Sequence, residues 1–322
     1  MKKFITKILG FGFLILLLFL TTLAATEIET IADLLPNKIS LKKGTTSHQW
    51  TRQGEADSTQ NIDVLIVGSS LAQSIDIRRF QKFKLRAFNL ASGSQSPIQT
   101  RYLFDRYLDS FNPKLVIWDV HPYVFANRGV ESTVDLIINC HDCGGMISML
   151  FQTKSDLAWN TYIKRMMLKP FEDQEFTFPR ESEISKYYFG GFMEVYVDAP
   201  ESPATIDSFG YEGLQVQKEI FESELKELKK RSIPVLLVYS PKSDGFIQNF
   251  QNQQEWFDYY ESIVNQGLAE DFLNFNEIFA GQQISAANFY DIAHLTHEGA
   301  EGYNKVLIPS LSARLEELKQ SD

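Results

Sequence analysis

The stretch VLIVGSSLAQS, residues 64–74, contains the first buried strand of the chain and the turn that ends it. Val64 to Val67 are apolar without alternation and stop at Gly-Ser-Ser. A strand that is apolar throughout is buried on both faces, as in a parallel sheet covered by helices. Ser69 and Ser70 then have two interpretations: one of them is a nucleophile at the strand end, or they only cap a following helix.

The same alternation of strand and helix recurs along the chain. Apolar runs predict further strands in LRAFNLASG (85–93), PKLVIWDVH (113–121), IPVLLVYSP (233–241) and FLNFNEIF (272–279). Spacings of three and four between apolar residues predict helices in 100–111, 215–232 and 296–319. The pattern predicts an α/β fold: a three-layer, flavodoxin-like parallel sheet covered by helices on both faces.

The first 25 residues predict a membrane segment. Three lysines precede residues 8–25, which carry no charge and are almost long enough to cross a bilayer. The basic flank predicts a signal anchor or transmembrane helix, with the body of the protein facing the periplasm or the cell exterior. A cleaved signal peptide is the alternative.

The rest of the chain divides into a lead-in and one domain. Residues 26–60 are polar and without a sustained period, which predicts a linker. Residues 61–322 form the predicted α/β domain. Residues 122–212 are too many for one crossover connection and predict an insertion near the carboxyl edge of the sheet. Its aromatic stretch KYYFGGFMEVY, residues 186–196, is compatible with a sugar or acyl pocket and equally with ordinary packing.

Composition excludes several classes of protein. The formal net charge of −10 and the lack of a basic stripe argue against a nucleic-acid partner. Two cysteines are too few for a disulfide scaffold. The pair in CHDC, Cys140 and Cys143, is interpreted as a local disulfide or two idle thiols, because a redox pair or a zinc site lacks further support. No cofactor and no metal is expected.

Five histidines limit the search for a catalytic base. His48 falls in the predicted linker and His141 between the cysteines, whereas His121 ends a strand. His294 follows Asp291 by three residues, close enough for the carboxylate to orient the imidazole as a proton acceptor for serine. His297 is the alternative base if the register differs by one turn.

These motifs resemble those of the GDSL/SGNH hydrolase superfamily. In the first motif of that family, Gly-Asp-Ser-Leu, the serine is the nucleophile; here the motif reads GSSL, with Ser70 at the serine and Ser69 at the aspartate. Asp291 and His294 match its Asp-x-x-His motif. The resemblance implies a catalytic triad of these residues, with an oxyanion hole formed by the N–H groups of Ser70 and Gly93.

One motif departs from the family pattern. A Gly-x-Asn-Asp sequence usually follows the third strand and supplies a third oxyanion donor, but this chain has WDVHPYVFANRG there, residues 118–129. His121 or Asn127 is the candidate substitute, or the hole has two donors. Asp119 and His121 also suggest a metal site, although a strand end lining the pocket is the simpler interpretation.

The resemblance and the predicted anchor together lead to one expectation about function. The chain resembles the membrane-anchored relatives that move acyl groups onto surface polysaccharide. We expect a serine esterase or O-acyltransferase that acts on acylated polysaccharide or related esters. A membrane protein that delivers acyl groups is a compatible partner for such an enzyme. The alternative is a non-catalytic subunit of the same fold that binds or assembles polysaccharide. A nucleotide-binding protein is disfavoured because no glycine-rich phosphate loop follows a strand.

Overall fold

The computed structural model describes residues 2–25, 48–171, 179–200, 206–279 and 285–321. Five strands form one sheet: β1 Val64–Val67, β2 Ala87–Asn89, β3 Leu115–Asp119, β6 Val235–Tyr239 and β7 Asp271–Asn274. A separate antiparallel hairpin consists of β4 Ser185–Tyr188 and β5 Phe192–Val195.

The five-stranded sheet is parallel throughout. Its order is β2-β1-β3-β6-β7, which is the 2-1-3-4-5 order of flavodoxin-like folds when the strands are counted within the sheet. Every residue of β1, β3 and β6 is buried, as expected for strands covered on both faces. The predicted fold class is confirmed.

Helices cover both faces of the sheet. Their bounds are α1 Lys2–Ala25, α2 Gln49–Ser58, α3 Pro97–Phe111, α4 Pro122–Phe125, α5 Val130–Ile138, α6 Met146–Thr153, α7 Asp156–Leu168, α8 Gln215–Lys230, α9 Asp244–Asn249, α10 Gln253–Asn265, α11 Phe275–Ile278 and α12 His297–Ser321. One apolar layer joins Leu65 and Trp118 to α3, α8 and α10. The other joins Ile66 and Ile117 to α12, so there are three layers.

Local sequence sets where the helices beside the site begin. Pro97 occupies the first turn of α3, where its missing N–H costs no helical hydrogen bond. Gln99 Oε1 accepts from the Ser96 N–H at 3.0 Å and satisfies one donor ahead of the helix. His121 precedes α4 and caps it, because its Nδ1 accepts from the Tyr123 N–H in the first turn.

The insertion contains α4 to α7 and the β4–β5 hairpin. The hairpin turn packs on the carboxyl end of β2, where the Asn89 N–H donates to the Gly190 carbonyl at 2.7 Å. Gly191 has φ +102°, and a Cβ there would lie only 1.9 Å from the Asn89 carbonyl oxygen. Glycine is therefore required at this turn, which holds the hairpin against the edge of the sheet.

The structure differs from the predicted linker over residues 48–60. Helix α2 occupies most of this range, with Trp50, Arg52 and Glu55 buried. Arg52 donates to the Gly191 carbonyl at 3.1 Å, and Glu55 accepts from the Gly190 N–H at 2.8 Å. This helix was not predicted because most of the side chains that it buries are polar, so its sequence shows little apolar periodicity. Residues 26–47 of the predicted linker lie outside the described residues.

Helix α1 is the one described helix that is long and apolar enough to cross a membrane, a property that signal sequences share. Its side chains are exposed except near its C-terminal end, where Leu23 is buried. Within the insertion, Cys140 and Cys143 form a disulfide.

Candidate active site

Ser70 is presented by a sharp turn at the end of β1. Gly68 has φ +137°, and a Cβ there would lie 2.8 Å from the Cβ of Asp119, so only glycine allows β1 and β3 to approach so closely. The Ser69 hydroxyl accepts weakly from the Leu71 N–H and donates to Asp119, both at 3.4 Å. Ser69 thus supports the turn, and Ser70 begins the short 3-10 helix Ser70–Ser74.

The hydroxyl of Ser70 meets the imidazole of His294. Ser70 Oγ lies 2.7 Å from His294 Nε2, although the two residues are 224 positions apart in the sequence. The sheet brings them together because β1 and the loop before α12 both reach its carboxyl edge. At this distance an imidazole that is unprotonated at Nε2 can accept the serine proton.

Asp291 orients the His294 ring. Asp291 Oδ2 lies 2.8 Å from His294 Nδ1, and Oδ1 accepts from the N–H groups of Ala293 at 2.8 Å and His294 at 2.7 Å. Burial alone would raise the pKa of Asp291, but the hydrogen bonds and the neighbouring imidazole lower it below its usual value. An ionised Asp291 keeps the proton of neutral His294 on Nδ1 and leaves Nε2 free to accept one.

The backbone N–H groups of Ser70 and Gly93 follow the carboxyl ends of β1 and β2. Within the described residues, neither the Ser70 N–H nor the Gly93 N–H donates a hydrogen bond. A Cβ at Gly93 would meet only Glu131 Oε1, at 4.0 Å, so the space around this glycine is open. An oxyanion hole requires N–H groups that are not already paired within the protein, and these two meet that condition.

His121 carries a third free donor. Its Nδ1 accepts from the Tyr123 N–H at 3.2 Å, which places the ring proton of a neutral imidazole on Nε2. Nε2 is buried and has no hydrogen-bond partner among the described residues. Burial lowers the pKa of His121 well below its ordinary value, and the charges of Lys242 and His294 lower it further.

Asn127, the other candidate for the third donor, is already engaged. Its Nδ2 donates to the Tyr123 carbonyl at 2.7 Å, and its Oδ1 accepts from the Gly129 N–H at 2.7 Å. Both groups stabilise the loop between α4 and α5. Of these two candidates, only His121 has a ring N–H left without a partner among the described residues.

Asp119 lies beneath the turn. Ser240 donates a short hydrogen bond to Asp119, and Lys242 is buried nearby with its Nζ 2.6 Å from the Ser240 carbonyl oxygen. Burial raises the pKa of Asp119, while the charge of Lys242 and the hydroxyls of Ser240 and Ser69 oppose that rise. Burial lowers the pKa of Lys242 to about 8. These groups tie the ends of β1, β3 and β6 together.

A cleft opens beside Ser70 and His294. It encloses about 400 Å³ of space, part of it open to solvent. Met193 and Val195 of the hairpin, Pro241 and the Tyr290 ring form much of its wall. The Tyr290 ring stacks on His294 with 5.5 Å between the ring centroids. Ser69, Asp119, His121 and Asn127 are not part of the wall of this cleft.

Met193, Val195, Pro241 and Tyr290 were not predicted individually as site residues. Met193 and Val195 lie in the aromatic stretch that the sequence singled out, but their contact with Ser70 depends on how the insertion folds back. The three remaining histidines lie elsewhere. His297 Nδ1 is 3.4 Å from Glu194 in an adjoining cleft, and His141 Nε2 is 2.8 Å from the Trp50 carbonyl oxygen. His48 is buried and stacks on the Tyr187 ring.

Comparisons with known proteins match this chain to one family model and to solved structures. A family model that carries no functional description matches residues 215–316. A search of curated proteins found no match to this sequence. A structure from Bacteroides fragilis, provisionally assigned as an acylhydrolase, is 11% identical with a TM-score of 0.44 and covers 85% of this chain and 100% of its own. A GDSL-like lipase from Bacteroides thetaiotaomicron is 10% identical with a TM-score of 0.41, covering 82% of this chain and 98% of its own.

Proposed function

We propose that the protein is a membrane-anchored, exported serine esterase or O-acyltransferase of SGNH type. The observation that carries the proposal is the 2.7 Å contact between Ser70 Oγ and His294 Nε2, with Asp291 on the other ring nitrogen. Helix capping alone does not require a serine hydroxyl to contact an imidazole that a carboxylate orients. The contact favours an enzyme over a non-catalytic subunit of the same fold.

In the acylation step, Ser70 Oγ attacks the carbonyl carbon of an ester while His294 Nε2 takes the serine proton. The carbonyl electron pair moves onto oxygen and produces a tetrahedral oxyanion. The N–H groups of Ser70 and Gly93 stabilise this oxyanion, and we assign the Nε2–H of His121 as the third donor. The imidazolium, stabilised by Asp291, then protonates the departing alcohol and leaves an acyl-serine.

The second half of the reaction reverses these roles. His294, neutral again, removes a proton from water or from a sugar hydroxyl, which attacks the acyl-serine. Collapse of the second oxyanion releases the acid or the transferred ester and returns the proton to Ser70. The same residues thus serve hydrolysis and transfer, and access of water to the cleft determines how the acyl group partitions.

Two features support an extracytoplasmic site of action. Helix α1 is long enough to span a bilayer, and its basic flank favours export of the rest of the chain. The Cys140–Cys143 disulfide is the form that persists in oxidising compartments. Esters on surface polysaccharide are the substrates that such an enzyme meets there, and a membrane protein that supplies acyl groups is a compatible partner.

The proposal is tested by assaying the detergent-solubilised full chain with 4-nitrophenyl acetate. Wild type is expected to release 4-nitrophenol, and Ser70→Ala is expected to lose this activity, with an unchanged circular dichroism spectrum as the folding control. Undiminished hydrolysis by Ser70→Ala would remove Ser70 from the mechanism.

A further inference from the structure

Apolar side chains on α6 and α7 reach the surface of the insertion. Ile147 and Phe151, one turn apart on α6, are 43% and 65% exposed. The Phe151 ring contacts that of Trp159 on α7, with 5.1 Å between the ring centroids. Ile163 and Met166 follow Trp159 at spacings of four and seven residues and share its side of α7. We call these five residues the α6–α7 apolar face.

Part of this face lies on α7, the helix that α1 contacts. Helix α1 contacts α7, and the residues of α1 shielded from solvent lie near its C-terminal end, around Leu23. Its 24 residues span about 36 Å, slightly more than the roughly 30 Å hydrocarbon core of a bilayer. Its last turn therefore emerges at the headgroup layer, and α7 sits at that depth.

The charge of this region suits a lipid surface. Residues 146–171 contain four basic side chains, of which Lys164 and Arg165 are buried. The two basic side chains that reach solvent stand against one exposed acidic side chain, Asp156. Lys154, in the loop between α6 and α7, is exposed, and Lys169 follows α7 half-buried. An apolar face flanked by lysine is the combination with which interfacial helices bind the boundary between headgroups and acyl chains.

We propose that the α6–α7 apolar face lies in the headgroup layer of the bilayer that α1 crosses, with phospholipid as its partner. The inference rests on the membrane placement in the proposed function, because only an anchored chain holds α7 at this depth. With two points of contact, at α1 and at this face, the catalytic domain would hold one orientation relative to the bilayer. With α1 alone it could rotate freely.

Site-directed fluorescence tests the proposal on the full chain. Single cysteines replace Phe151, Ile147, Ile278 or Leu14 and carry the environment-sensitive dye NBD; the native cysteines are buried and disulfide-bonded. Ile278 is a matched control because it is also 43% exposed but lies on α11, among the elements that cover the opposite face of the sheet. Leu14, in the middle of α1, reports on the anchor. The proteins are reconstituted into phosphatidylcholine–phosphatidylglycerol vesicles with or without doxyl-labelled lipid.

The expected result is a blue-shifted emission and loss of most of the fluorescence to doxyl lipid at Phe151, Ile147 and Leu14, but not at Ile278. If Leu14 is quenched while Phe151 and Ile147 behave like Ile278, the α6–α7 apolar face does not bind lipid and the inference is wrong, whereas the anchored enzyme stands. If Leu14 is not quenched, the anchor itself fails, and with it both the membrane placement and the inference.

Discussion

Ser70 Oγ and His294 Nε2 lie 2.7 Å apart across 224 residues of sequence. The contact joins the turn after the first strand of the sheet to the loop before the last helix, so it forms only when the whole sheet is assembled. Its partner Asp291 belongs to the same loop as His294 and accepts two backbone N–H groups that fix this loop. The catalytic proposal therefore depends on both ends of the domain.

Replacing Asp291 by asparagine is expected to lower kcat by on the order of 10³–10⁴-fold with a small effect on KM. Asparagine favours the ring tautomer with the proton on Nε2, where His294 can no longer accept from Ser70. Glu298→Gln, an exposed carboxylate at the start of α12, is the matched control. Steady-state kinetics with 4-nitrophenyl acetate measure the effect, and equal rates for Asp291→Asn and Glu298→Gln would exclude Asp291 from the mechanism.

His121 is expected to contribute to kcat as a hydrogen-bond donor. His121→Phe should lower kcat by on the order of 10²–10³-fold with KM nearly unchanged, because the lost bond forms only to the oxyanion. His121→Asn keeps a donor and should recover part of this loss. A merely structural role would not distinguish donors in this way. Equal kcat values for the Phe and Asn variants, both folded by circular dichroism, would therefore rule out the donor role.

The lowered pKa of His121 predicts how stability changes with pH. In the unfolded chain His121 has its ordinary pKa of about 6.5, whereas the buried ring stays neutral well below this pH. The unfolded state thus binds more protons below about pH 6.5, and stability falls as the pH falls. Wild type should therefore lose more stability than His121→Asn as the pH falls below about 6.5.

Urea unfolding of both proteins at several pH values measures this difference, since the titration of all other groups is common to them. Parallel losses of stability in wild type and His121→Asn would mean that His121 is protonated in the folded protein.

Met193 is expected to limit the length of the acyl group. Met193→Ala removes part of the hairpin wall of the cleft, so the ratio of kcat/KM for the butyrate ester to that for the acetate ester should rise by on the order of tenfold. Phe189→Ala lies on the same hairpin but is largely exposed and does not line the cleft, so its ratio should match wild type. An unchanged ratio in Met193→Ala would show that the acyl chain does not occupy this cleft.

The sequence predicted the sheet and the position of the candidate site because their signals are local. Apolar runs such as Val64–Val67 identify buried strands, and the Asp291–His294 spacing falls within one turn of chain. Helix α2 was not predicted, because Arg52 and Glu55 are buried through contacts with the distant hairpin. The stretch that contains Met193 was compatible with a pocket or with ordinary packing, and the sequence could not decide between them because the Asn89–Gly190 contact that positions the hairpin is long-range.

Labelling of the full chain with a fluorophosphonate probe tests the central claim most directly, because only an activated serine reacts. Wild type is expected to carry the label on Ser70, as mapped by peptide mass spectrometry. Ser69→Ala should still react, whereas Ser70→Ala and His294→Ala, both folded, should not. A folded wild-type protein that fails to react, or whose label persists in Ser70→Ala, would contradict the account.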